Sequence, residues 1–163
     1  MSDGPGRAGL LTGTAAVACG LLAFALASVG TLTLVLGAAG VLALAAALVD
    51  RSRRLATAGG AALYCQLLAA VLAGLGPALA LAAAVATLLA WTFAHSGSDF
   101  AATLGDAPAG ALEPVHVLGT AAVAAVAALA AYAAFGVSLG GLPPSMALAF
   151  LLAAVGLTAA LRP

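Results

Sequence analysis

Three runs of this chain, Ala8–Val49, Leu55–Ser98 and Pro114–Leu161, contain no Asp, Glu, Lys or Arg. A water-soluble domain carries charge around its whole surface, so charge-free runs this long have to be solvated by lipid. The chain reads as an all-α, polytopic integral membrane protein, and the bilayer is the partner that its composition implies.

The hydrophobic fraction is 65% and the charged fraction 6%, where globular domains run at about 25% charged. The 163 residues make one membrane domain, 1–163, with room for roughly six short spans and none for a separate soluble catalytic domain. Net charge is zero and there is no basic cluster able to follow a duplex, which excludes nucleic acid as a partner. Every cation is Arg; with so much Ala and Gly, the missing lysine points to a GC-rich genome. Cys19 and Cys65 lie near the middle of apolar runs and read as small packing residues, with no sign of a disulfide framework.

The apolar stretch from Leu10 to Val49 is about twice what a bilayer needs, so it has to fold back once. Ser28-Val29-Gly30-Thr31 is the best break, because Gly permits a tight turn and hydroxyls can cap freed backbone groups. This predicts helices over 10–28 and 31–49, each spanning about 28 Å at ~1.5 Å rise per residue. Asp50-Arg51-Ser52-Arg53-Arg54 ends the hairpin, and a third helix is expected over 55–75. Gly76-Pro77 breaks it, since Pro disfavours helical geometry in the residue before it and opens the next helix well. A fourth helix over 78–94 leads into a polar loop, 95–114, within which 98–105 suits a short interfacial helix capped by Ser98. Pro114 opens a fifth helix, 115–135, and the turn at 140–144 leads to a sixth, 145–161. The expected architecture is a bundle of six transmembrane helices.

The arginines orient it. The Arg51, Arg53 and Arg54 cluster belongs in the cytoplasm by the positive-inside rule. Six spans then place both termini inside, with Arg7, Arg162 and the 95–114 loop on the same face. Ala25-Leu26-Ala27 fits a signal-peptide cleavage site, but such triplets recur in an Ala-rich chain and Met1–Gly9 makes a poor basic region, so helix one is expected to be retained. The large residues of helix five, Val123, Val126, Leu129, Tyr132 and Phe135, recur every third position among alanines. They drift around the helix and leave small residues free for close packing. Gly9 and Gly13 form a small-xxx-small pair at the membrane edge.

No span contains a charged side chain, which argues against ion-coupled transport. Gln66 is the one strongly polar side chain near mid-span, and an interhelical hydrogen bond is its commoner use. Lining a narrow polar path with Cys65 and Thr87 is the alternative, and would make the protein a passive channel or small-solute facilitator. Trp91 sits where an interfacial anchor belongs. His95, Asp99, Glu113 and His116 are the residues with metal-site chemistry. Glu-x-x-His is a ligand spacing of carboxylate metal bundles, and two His plus carboxylates suit Zn or Fe. A metal-dependent membrane enzyme would need all four to converge. Structural roles account for the same residues without a metal: Glu113-Pro114 as a helix entry with an acid at the positive dipole end, His95 at a helix C-terminus. No catalytic, cofactor-binding or metal-binding residue is therefore assigned.

Trp91-Thr92-Phe93-Ala94-His95-Ser96, Leu104-Gly105-Asp106 and Glu113-Pro114-Val115-His116 resemble small multi-pass membrane proteins of halophilic archaea, over roughly Trp91–Thr120. That group has no assigned activity. The resemblance implies an accessory membrane component, associated with a MoxR-type ATPase system. The residues and the resemblance together lead to a non-enzymatic accessory or scaffold protein, whose partner, cytoplasmic or in the membrane, reads the 95–114 loop and the Arg51–Arg54 turn.

Overall fold

A computed structural model of the chain describes residues 9–104 and 112–138. They form α1 (Leu10–Ala27), α2 (Thr31–Asp50), α3 (Arg53–Leu72), α4 (Pro77–Leu104) and α5 (Leu112–Ser138). All five are long and apolar enough to cross a bilayer, and the protein is membrane-embedded through them. Large apolar side chains point outward along them, Val49 at 80% and Leu72 at 89% exposure among them, a surface that lipid solvates and water does not. The sixth helix expected over 145–161 lies outside the described residues. Two units divide the chain, Met1–Leu129 and Ala130–Pro163.

Local chemistry explains each break. At the first, Thr33 does the capping: its hydroxyl oxygen accepts from the Val29 and Gly30 amides at 3.0 and 2.9 Å and donates to the Gly30 carbonyl at 2.8 Å. Ser52 caps α3 by accepting from the Leu55 amide at 3.5 Å, so that helix begins at Arg53, two residues before the expected start. It also ends three residues early. Gly74, at φ 94, takes the left-handed position, with Leu75 N–H on the Ala70 carbonyl and Gly74 N–H on the Val71 carbonyl. That pair of bonds is a Schellman ending, with Pro77 following as a stop. The pre-proline reading placed the break at Gly76, whereas the residue that makes the turn is Gly74.

Within the first unit the most extensive packing is α1 on α4 and α2 on α3. Small residues set both contacts. A Cβ on Gly97 would stand 3.2 Å from the Gly9 carbonyl oxygen and 3.3 Å from the Gly13 nitrogen, so α1 and α4 touch backbone to backbone. Gly40 and Gly59 bring α2 and α3 together in the same manner. The Gly9/Gly13 pair thus packs within the chain. Leu44, Leu63 and Ala90 make one core cluster near the middle, and Ala27, Leu67, Ala70 and Ala83 another under the first turn.

The largest departure from expectation is α4. It does not stop at Ala94 with a loop over 95–114 but runs ten further residues to Leu104, and the expected interfacial helix from Ser98 is its continuation. The Ser98 hydroxyl donates back to the His95 carbonyl at 2.7 Å and caps nothing. His95, Ser96, Ser98 and Asp99 mark where the composition of the helix turns polar. Polarity ends a membrane span but need not end a helix: no Pro stands in this stretch, and Gly97 stays helical against the Gly9 and Gly13 backbone.

Candidate functional site

α1 is held at both ends by side chains from elsewhere in the sequence. Its N-cap is Gly9, left-handed at φ 86 and without a capping side chain. The first amides of a helix have no partner within it and carry its positive dipole end. The Glu113 carboxylate, from the first turn of α5, accepts from the Gly9 amide with one oxygen and from the Leu11 amide at 3.0 Å with the other. Glu113 is 95% buried by this contact and the groups around it, at 5% exposure. Beyond opening its own helix, it closes another that starts about a hundred residues earlier.

At the far end of α1, the Phe24 carbonyl is freed where the helix stops at Ala27. It accepts from the Ser28 hydroxyl at 2.5 Å and from the fully buried Gln66 side-chain nitrogen at 3.1 Å. Gln66 therefore makes an interhelical hydrogen bond and acts as a C-terminal cap supplied by α3. Its Oε1 has no partner among the described residues.

The last three turns of α4 divide their side chains among three neighbours. Toward α3, Asp99 pairs with Arg53 at the exposed surface. His95 Nδ1 lies 3.0 Å from the Trp91 carbonyl, an acceptor, which assigns the proton to Nδ1. Its Nε2 then accepts the Trp91 indole N–H at 3.4 Å and sits 3.2 Å from the Thr57 hydroxyl. Toward α5, Ser96 meets His116 Nε2 at 3.0 Å, and Phe100 stacks edge-on against the His116 ring at 5.6 Å between centroids. Toward α1, Gly97 makes the backbone contact described above.

His95, Asp99, Glu113 and His116 thus share one end of the bundle but do not converge. Each is committed to a different partner: Trp91 and Thr57, Arg53, the α1 amides, and Ser96 with Phe100. Among the described residues no three His, Cys, Asp or Glu side chains are grouped to hold a metal ion. The three candidates for a polar path do not share a lining either. Cys65 is exposed on the outside of the bundle, Gln66 is buried against α1, and the Thr87 hydroxyl returns to the Ala83 carbonyl of its own helix at 2.8 Å.

The DUF7519 family, a family of unknown function, matches residues 3–159.

The chain belongs to the DUF7519 family.

No curated protein and no solved structure matches it. The DUF7519 match covers all five helices, so Glu113, Gln66 and Gly97 all lie inside the stretch that defines the family. The sequence reading does not reach the role of Glu113 in capping α1 or of Gly97 in packing against it. One signal was available: no Ser, Thr, Asp or Asn stands at position 9 to cap a helix beginning at Leu10, and a buried helix start without a local cap requires a remote one.

Proposed function

We propose that this DUF7519 member is a non-enzymatic membrane accessory or scaffold protein, oriented with its Arg-bearing end in the cytoplasm, whose partner docks on that end. The observation that carries the reading is the extension of α4: ten residues past the expected membrane boundary continue as helix, presenting Asp99, Ala102 and Thr103 to solvent beside the exposed Arg51, Arg53 and Arg54. A packed helix with one exposed face and an ion pair beside it is a better docking element than a loop, since it does not have to be ordered on binding. Among the described residues of the first unit, the other end offers the turns at 28–30 and 73–76, with no charged side chain. A protein of a MoxR-type ATPase system is the partner to which the resemblance points.

Site-specific photo-crosslinking from Thr103 and Asp106 in native membranes tests the reading. Capture of a defined protein partner that is lost when Arg53 and Arg54 are both replaced by Gln supports it. Capture of lipid alone, with a protein partner trapped instead from outward positions of α5 such as Val123, replaces end-on docking with lateral association through the Ala-rich helices.

A further inference from the structure

α1, α2 and α4 leave an open cavity of about 430 Å³ between them toward the Arg-bearing end. Its volume falls in the range of small-molecule sites. Three helical stripes line it, each spaced as one face of a helix: Leu44 and Leu48 on α2 lead to its C-cap Arg51, Gly13 and Ala16 stand on α1, and Gly97 and Ala101 stand on α4. The space arises because, apart from Leu10 and Ser98, α1 and α4 present only hydrogen and methyl groups here. Their backbones meet at Gly9 and Gly97, while on the α2 side Leu48 is the side chain that reaches Gly13. From Leu44 to Arg51 the α2 wall is about 10 Å deep.

We infer that this cavity binds one anionic phospholipid, with its phosphate on Arg51 and an acyl chain along Leu44 and Leu48. Charge and polarity both select that occupant. The inner walls are aliphatic and belong to helices embedded in lipid, so an acyl chain is the apolar material at hand to fill a space that would otherwise cost its lining atoms their dispersion contacts. The rim carries a guanidinium. Arg51 is exposed and makes no ion pair among the described residues, while Arg53 is taken by Asp99 and both Glu113 oxygens are taken by α1 amides. A guanidinium at the level where headgroups lie, above an apolar slot, is complementary to a phosphodiester bearing a chain. The inference stands on the membrane embedding and not on the docking of a protein partner.

Native mass spectrometry of the full chain, released from nanodiscs of mixed phosphatidylglycerol and phosphatidylcholine, tests it. One retained phosphatidylglycerol per chain is expected. Arg51→Asn, which tolerates the left-handed backbone at φ 51, should lower that retention about tenfold relative to phosphatidylcholine. Arg51→Lys should keep most of it. Arg54→Gln, the same loss of charge three residues from Arg51 and outside the cavity lining, should change it less than twofold. Ala101→Met, a flexible side chain placed in the slot, should lower it without loss of helical circular dichroism. Equal losses in the Arg51 and Arg54 variants would mean diffuse surface charge and overturn the site. So would full displacement by inorganic phosphate, which would make it a soluble-anion site, or crosslinking from position 48 to the chain's own first residues in place of lipid.

Discussion

Glu113 and Gln66 cap the two ends of one helix, yet their removal should have unequal consequences. Glu113 satisfies two backbone donors with a buried carboxylate at the positive end of a helix dipole. Glu113→Ala strands both amides, and the expected loss is about 1–3 kcal/mol in denaturant titration of the micelle-bound protein. Glu113→Gln keeps one acceptor oxygen and should lose less. Gln66 differs because half of its amide is unpartnered and because the Phe24 carbonyl keeps the Ser28 hydroxyl without it. Gln66→Leu removes the buried orphan oxygen together with the bond. The net change should stay below about 1 kcal/mol, in line with interhelical side-chain bonds in membranes. A larger loss from Gln66→Leu than from Glu113→Ala, measured in the same micelles, would reverse this ordering of the two caps.

At the level of the helices, α4 does the most to shape the molecule. Spin labels at Leu88 and Thr103, both exposed, should report a narrow distance near 22 Å along a continuous helix, from ~1.5 Å rise over the residues between them. A broad distribution would restore a loop after Ala94. The α1–α4 contact is tight at Gly97: even a Cβ would stand 3.2 Å from the Gly9 carbonyl oxygen and force a small shift, and a longer side chain would meet the Gly9 and Gly13 backbone. Gly97→Leu should cost about 1–3 kcal/mol through forced separation of the two helices, read in the same unfolding titration. α1 and α2 also need each other less than their chain proximity suggests. α1 packs more extensively on α4, a longer-range partner, and α2 on its next neighbour α3, while a smaller α1–α2 contact remains. Nothing in the apolar periodicity distinguishes these pairings, because Ala and Leu occur on every face.

For the whole molecule, orientation is the property that the arginines should decide. Reporter fusions after Asp50 and after Gly105 should read as cytoplasmic and a fusion after Gly76 as external; the reverse pattern would invert the molecule and carry the proposed docking end to the outside. The sequence by itself determined the solvent and the class. Charge-free runs of forty residues and more admit no solvent but lipid, and Gly30, Asp50–Arg54 and Pro77 divide them into spans to within a few residues of the helices observed. These are local properties, set by hydration and backbone chemistry within a few positions. The tertiary structure alone decided what the polar residues do. Glu113 reaches Gly9, His116 reaches Ser96 and Gln66 reaches Phe24 across separations of 104, 20 and 42 residues. Metal-ligand spacing in Glu-x-x-His was legible, but the convergence it would need was not, because each of these side chains answers to the nearest unsatisfied backbone or hydroxyl group in space. In a bilayer those demands outrank sequence spacing: a helix end or buried amide that water would satisfy elsewhere has to find its partner inside the protein.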